Sequence, residues 1–325
     1  MTARVSILIP VYNAERWLAA TLDAALAQTW PHTEIIAVDD GSTDDSAAIL
    51  ERYRSRGVTV IHQPNSGAGV ARNRALAAAT GDYLQFLDAD DLLSPDKIAA
   101  QVTLLEQHPP GYLAVCDVRY FDDGSSPETG LVVDGWPLVD SDDPVAWLTE
   151  LWGPDGGASM VQTGVWLVPR SVAAAAGPWT TYRSPDDDGE YFARVVLASQ
   201  GLRHTPNGRS YYRRFPNATS HLSQQGNDVH SAGMLRNLDS RAAGLLARTD
   251  APRARRAVAR TYMEFAYYAY PRQPALSRTA LHQAHALGGG PQLLHFGSPR
   301  TRLVARIFGW RVARRLSLLY HQAGQ

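Results

Sequence analysis

Tyr83-Leu84-Gln85-Phe86-Leu87-Asp88-Ala89-Asp90-Asp91 is the stretch on which the fold turns. An apolar run of strand length stops in a cluster of carboxylates. Alternate residues of an extended chain share a face, so Asp88 and Asp90 point the same way. Converging like charges need compensation by hydrogen-bond donors or by a hard cation, which prefers oxygen ligands and often shares them with substrate phosphates. The same acids could instead cap a helix entered at Leu92. The position of this strand in its sheet decides between the two.

Upstream, the hydrophobic pattern alternates between two periods. Val5–Ile9 has strand length, Trp17, Leu18, Thr21, Leu22, Ala25 and Leu26 recur at helical spacing, and Ile35–Val38 is strand-like again. A helix is predicted over about 43–54, with Asp44 and Asp45 suited to its positive end. Val58–Ile61, a helix over 68–79 and Tyr83–Leu87 complete a strand–helix alternation, which implies right-handed crossovers and a mainly parallel α/β sheet. Strands that are apolar without alternation fit a sheet covered on both faces. Ligands of such sheets bind beyond the carboxyl ends of the strands. The segments there are Pro10-Val11-Tyr12-Asn13, Asp39-Asp40-Gly41-Ser42, Pro64–Gly69 and Asp88–Asp91.

Each of these segments carries usable chemistry. Asp39 follows an apolar strand directly, where its carboxylate can accept from a base or a ribose; an Asx-turn is the plainer use. The glycines of Asn65-Ser66-Gly67-Ala68-Gly69 permit close backbone approach, and the helix that follows favours an anion at its start, with Arg72 in reach of a phosphate. Tyr12 could stack on a base. Neither the phosphate-binding lysine loop nor the dinucleotide fingerprint is present.

Taken in order, Val5–Asn13, Val38–Asp44, Gly67–Asn73 and Gly81–Asp91 resemble family 2 glycosyltransferases of the GT-A fold, closely over residues 4–110 and more loosely over 160–215. The resemblance implies an inverting enzyme that uses a nucleotide-diphosphate sugar, most often UDP-linked, and a divalent cation, Mn²⁺ or Mg²⁺. Within it, Tyr12 and Asp39 hold the base, Arg72 lies near the nucleotide, Asp88 is on the ribose side and Asp90 binds the metal. Pro10, Gly67 and Ala89 join the nucleotide-binding set. The family's catalytic base lies several residues before a helical arginine, and Pro185-Asp186-Asp187-Asp188-Gly189-Glu190-Tyr191-Phe192-Ala193-Arg194 resembles that motif. Counting back six from Arg194 gives Asp188 as base, with Asp187 beside it. Three aspartates stand where an acidic pair is usual, so the register among Asp186, Asp187 and Asp188 stays open. The implied acceptor is a glycan or a lipid-linked sugar. A metal-dependent nucleotidyltransferase and an inactive nucleotide- or glycan-binding module are the alternatives; the first would want a glycine-rich basic loop after the first strand.

Downstream, a helix is predicted near 95–108, a strand over 113–121, an irregular functional loop over 122–160, a return to the sheet over 161–168, and a helix over 190–199. From Asp228 the chain reads as helical, broken at Pro252, Pro271, Pro274 and Gly288–Pro291. This gives a catalytic domain over 1–225, divided near 110 into nucleotide and acceptor halves, and a helical region over 226–325. Trp136, Trp147, Trp152, Trp166 and Trp179 could line an acceptor cleft or pack internally. Tyr211–His221 could form a cationic lid over the diphosphate or a surface salt-bridge network.

Composition narrows the classes further. The 325 residues are 45% hydrophobic and 19% charged, a globular balance, and the single cysteine, Cys116, excludes an internal disulfide and a cysteine-rich metal site. No apolar run approaches the roughly eighteen residues of a membrane span, so a soluble cytoplasmic protein is expected. The net charge of −1 conceals a division: residues 1–202 hold 28 Asp/Glu against 12 Arg/Lys, and residues 203–325 hold 19 Arg against 4 Asp/Glu. No nucleic-acid partner is expected. Over 298–325, six arginines accompany two short apolar stripes that fall out of phase across Gly309. That pattern suits the inner face of an anionic membrane, or packing on the catalytic domain or on a second subunit of a homodimer.

Overall fold

β1 (Val5–Val11) is buried at every position except half-covered Pro10, as expected of a run with no polar alternation. Around it the chain forms α1 (Leu18–Leu26), β2 (Thr33–Asp39), α2 (Ser46–Arg54), β3 (Val58–His62), α3 (Ala68–Ala78) and β4 (Tyr83–Phe86). A computed structural model describes residues 2–132, 139–153, 161–215, 228–294 and 299–323. The strand order is β3-β2-β1-β4-β8, with β1, β2, β3 and β4 mutually parallel. Only the two-residue edge strand β8 (Val168–Pro169), added further along the chain, runs antiparallel, against Tyr83 and Leu84. Ile7, Ile9, Leu22, Ala37 and Leu50 fill one face, and Leu8, Ile36, Val38, Leu84 and Phe86 are as deeply buried. The parallel α/β expectation is therefore met.

A second sheet follows in the order β5-β9-β6-β7, formed by β5 (Leu92–Leu93), β6 (Tyr112–Asp122), β7 (Leu131–Val132) and β9 (Gly201–Arg214). β6 and β9 pair in parallel over eleven residues of β6, interrupted by an irregularity between Cys116 and Asp117. Between them come α4 (Lys97–Glu106), α5 (Pro144–Trp152), α6 (Arg170–Ala176) and α7 (Asp187–Ala198).

Two expectations are corrected here. Residues 122–160 are not irregular throughout: α5 forms within them, burying Trp147, Leu148, Leu151 and Trp152. Its helical spacing is short and hidden among Asp, Gly and Pro. Tyr211–Arg214 is not a lid but the end of β9, with Tyr211 and Arg213 buried. The rest of that stretch, 216–221, lies outside the described residues, as do Trp136 and the 225/226 boundary. Trp147, Trp152, Trp166 and Trp179 are all buried, which makes them packing residues.

The chain divides into two compact units: residues 1–144, 161–183 and 187–224 form the first, and 145–160, 184–186 and 225–325 the second. The second is helical, with α8 (Asp228–Leu246), α9 (Pro252–Ala269), α10 (Pro274–Ala286), α11 (Pro299–Phe308) and α12 (Trp310–Ala323). Pro252 and Pro274 open their helices at the position where a missing N–H costs nothing. Gly309, at φ +81°, separates α11 from α12 where the two stripes change phase. Among the described residues no helix is long and apolar enough to cross a membrane.

Candidate functional site

The nucleotide and metal candidates, with Asp187 and Asp188 of the base motif, fall in the first unit, at the carboxyl ends of its strands. The loops after β1 and β2 lock together through main-chain donors. Val11 O accepts from Asp40 N at 2.8 Å, Ala14 N donates to Ser46 Oγ at 2.8 Å, and Thr43 N donates to Asn13 Oδ1 at 2.8 Å. Asn13 adopts φ +49°, which turns the chain between Tyr12, half exposed at this edge, and α1. The third loop is tied in by Asp40, whose carboxylate accepts from Ser66 N and Gly67 N at 2.8 Å and from Gln63 Nε2 at 2.7 Å. Gly41, at φ +73°, lies so close that a Cβ would sit 2.8 Å from Asn65 N. A side chain there would push two of the three loops apart.

Asp39 is buried, with Oδ1 accepting from Ser42 N at 3.1 Å and Oδ2 3.0 Å from His62 Nδ1. His62 Nε2 lies 2.8 Å from Glu51, and the two carboxylates, Glu51 first, raise the imidazole's pKa. The imidazole thus joins α2 to β2.

Arg72 organises the other half. It is buried on α3, donating from Nη2 to Asp88 Oδ1 and from Nη1 to Asp187 Oδ2, both at 2.8 Å. Burial works against its charge, but Asp187 and Asp88 outweigh that and hold it protonated. Its guanidinium lies 4.5 Å above the Trp179 ring, which stacks on Tyr191 of α7 at 4.0 Å and 12°. Asn73, the next residue of α3, exchanges two hydrogen bonds with the Trp179 main chain, at 2.9 and 2.8 Å. A Cβ on Gly69 would overlap the Thr180 carbonyl oxygen, so this contact also needs glycine. On α7 itself, Arg194 makes a bidentate pair with Glu190 at 2.7 and 2.8 Å and donates to Ala176 O and Pro178 O. Arg72, Asn73, Trp179 and Arg194 therefore hold the N-terminus of α7 beside the end of β4.

The three aspartates of the base motif separate accordingly. Asp186 belongs to the second unit and pairs with Arg241 at 2.7 Å. Asp187 pairs with Arg72, and burial, partly offset by that arginine, pushes its carboxyl up. Asp188 Oδ1 accepts from the N–H of Gly189 at 2.8 Å.

At the end of β4, burial and then the neighbouring Asp88 push the Asp90 carboxyl up to about 6. Asp91 is buried, and that burial, followed by the charges of Asp90 and Asp88, raises its carboxyl well above the ordinary value, although Arg213 N donates to its Oδ1 at 2.9 Å. Arg213 also donates from Nε to Asp90 O at 2.8 Å. Asp91 is thus structural, anchoring β9, while Asp88 and Asp90 are left facing each other's charge. Arg72 neutralises part of that charge, and the remaining carboxylate oxygens suit a hard divalent cation. Among the described residues no three His, Cys, Asp or Glu side chains are grouped so as to hold a metal ion.

The predicted Asp39, Arg72, Asp88, Ala89, Asp90, Asp187 and Asp188 all lie at this edge, together with Pro10, Tyr12 and Gly67. Sequence reasoning missed Arg213 and Trp179 as its supports. The sequence around Arg213 suggests a loop and not a strand end, and nothing local ties Trp179 to Arg72.

Residues 6–156 match the family model for Glycosyl transferase family 2. Over this stretch, just under half of the chain, the protein is similar to family 2 glycosyltransferases. The uncharacterized glycosyltransferase YibD of Escherichia coli is 41% identical over 105 residues, 32% of this chain and 30% of YibD. Other curated relatives are likewise matched over less than half of their own length. In fold, the chain resembles Staphylococcus aureus TarS 1-349 in complex with UDP-GlcNAc, with a TM-score of 0.69 at 16% identity over 98% of this chain and 92% of that one. It also resembles the mannosyltransferase PcManGT of Pyrobaculum calidifontis in complex with GDP-Man and Mn²⁺, with a TM-score of 0.54 at 19% identity over 99% and 88%. The fold is GT-A, a sheet flanked by helices with a helical C-terminal region.

Proposed function

We propose that this domain transfers a sugar from a nucleotide-diphosphate donor, UDP-linked in the first instance, to an acceptor hydroxyl, with inversion at the anomeric carbon. The observation that carries this reading is the Arg72 bridge. One buried guanidinium ties Asp88, at the donor edge of the sheet, to Asp187, the neighbour of the base candidate. The family match and the nucleotide sugars bound by TarS and PcManGT support a donor of this class. The catalytic domain in this reading is 1–225, with 226–325 appended.

The roles follow from chemistry. Tyr12 and Asp39 receive the base, the loops at Pro10, Gly67 and Ala89 admit the nucleotide, and Arg72 sets Asp88 against the ribose side. Asp188 accepts the acceptor's proton as its oxygen attacks the anomeric carbon from the face opposite the diphosphate. The bond to the diphosphate oxygen breaks in the same displacement, and the configuration inverts. A divalent cation at Asp90, as the Mn²⁺ of PcManGT suggests, would supply Lewis-acid stabilisation of the leaving diphosphate. Asp188 is assigned over its neighbours because the motif count from Arg194 selects it.

Isothermal titration with UDP and Mn²⁺ tests the donor assignment. Wild type should bind, and Asp39→Ala should bind at least about tenfold more weakly. Equal affinity of the two proteins would contradict the role given to Asp39.

A further inference from the structure

α11 and α12 pack on each other, and α12 meets α9 through buried Trp310 and Ala313, yet much of their apolar surface stays in water. Leu303, Ile307 and Phe308 on α11 are 59–65% exposed, and Val312, Leu316 and Leu319 on α12 are 40–60% exposed. The apolar stripes are therefore not fully covered by packing among the described residues. Soluble monomers rarely leave so many large aliphatic side chains open on adjoining elements.

The charges beside them choose the occupant. Residues 265–325 contain no Asp or Glu, and Arg302, Arg306, Arg311 and Arg315 are exposed on these same helices. A second copy docking through this face would set arginine against arginine, at a like-charge cost. Nucleic acid would use the arginines but not the aliphatic stripes. An anionic lipid surface uses both, since apolar side chains enter the acyl boundary while cations meet the headgroups. Aromatic residues of the kind favoured at such boundaries adjoin the helices: Tyr268 is 67% exposed, and Arg311 and Arg315 lie over the Tyr270 ring at 6.0 and 5.4 Å. Helices of 10 and 14 residues lie along a bilayer and do not cross it.

We propose that α11 and α12 form an amphipathic helix pair that binds the surface of anionic membranes. The inference stands on this surface alone and holds whatever the donor chemistry proves to be.

Sedimentation of the full chain with vesicles tests it, using phosphatidylglycerol mixed with phosphatidylcholine in one set and phosphatidylcholine alone in the other. Wild type should pellet with the anionic vesicles at low salt and be released as salt rises. Arg306→Gln combined with Arg315→Gln should weaken partitioning about 25-fold, at about fivefold per arginine. Ile307→Ser combined with Leu316→Ser should abolish it. All four positions are exposed, so unfolding is not expected, and UDP titration of the same samples checks the catalytic unit separately. Three results would overturn the proposal: no pelleting of wild type above the vesicle-free control, equal pelleting of wild type and both variants, or a wild-type dimer that Ile307→Ser with Leu316→Ser converts to a monomer.

Discussion

Three consecutive aspartates, Asp186, Asp187 and Asp188, meet three different partners, and their chemistry diverges for that reason. Identical side chains have nearly identical intrinsic acidity, so the environment assigns the roles. In steady-state kinetics, Asp188→Asn should keep donor affinity and lose turnover by about a hundredfold to ten-thousandfold, the usual range for a general base. Asp187→Asn should act differently: it weakens the hold of Arg72 on α7 and should lower thermal stability as well as rate. If Asp187→Asn alone is inactive and Asp188→Asn keeps full turnover, the base is Asp187. Asp90 gives the opposite balance. Its carboxyl is pushed up to about 6 by burial and by Asp88, so the ionised form weakens the metal-free fold at neutral pH. Asp90→Asn should raise the unfolding free energy in chelator by about 1 kcal/mol, seen as a higher urea midpoint, while removing metal-dependent activity. A lower midpoint would show that the carboxylate is stabilising.

Among the elements, the edge of the parallel sheet is joined by side chains that reach across loops. His62, at the end of β3, joins Glu51 of α2 to Asp39 of β2. Its folded pKa is raised above the ordinary 6.5, with Glu51 the larger cause and Asp39 the next. The stability it contributes is therefore fully present below about 6.5 and is lost as pH rises through the higher folded value. His62→Gln should lower the thermal midpoint in mildly acidic buffer and leave it nearly unchanged in alkaline buffer. An equal loss at both would assign the imidazole to packing. β1–β4 were legible in the sequence because their apolar runs are unbroken and each ends in turn-forming or acidic residues. α5 and β9 were not. α5 is nine residues among loop-forming neighbours, and β9 mixes five arginine and histidine residues with apolar ones, since its pairing with β6, not a local pattern, fixes it as a strand. The site residues were legible as motifs, but the Arg72–Asp187 pair spans 115 positions and leaves no local signal.

Over the whole molecule, charge is divided along the chain: the first 202 residues are strongly acidic and the last 123 strongly basic. The acidic part contains the carboxylates that a metal and a nucleotide-sugar would need, and a net negative surround has to be relieved locally for a diphosphate to enter. Arg72 and Arg213 supply fixed cations at that edge, and the remaining relief is assigned to a divalent ion at Asp90. The central claim is therefore that donor turnover depends on that ion and on that carboxylate. The direct measurement is nucleotide release from a panel of UDP-, GDP- and dTDP-sugars, by wild type with Mn²⁺, wild type in chelator, and Asp90→Ala with Mn²⁺. The account predicts release from at least one donor by wild type with Mn²⁺, abolished by chelator and in the folded Asp90→Ala protein. Release from no donor, or undiminished release by Asp90→Ala in chelator, would contradict it.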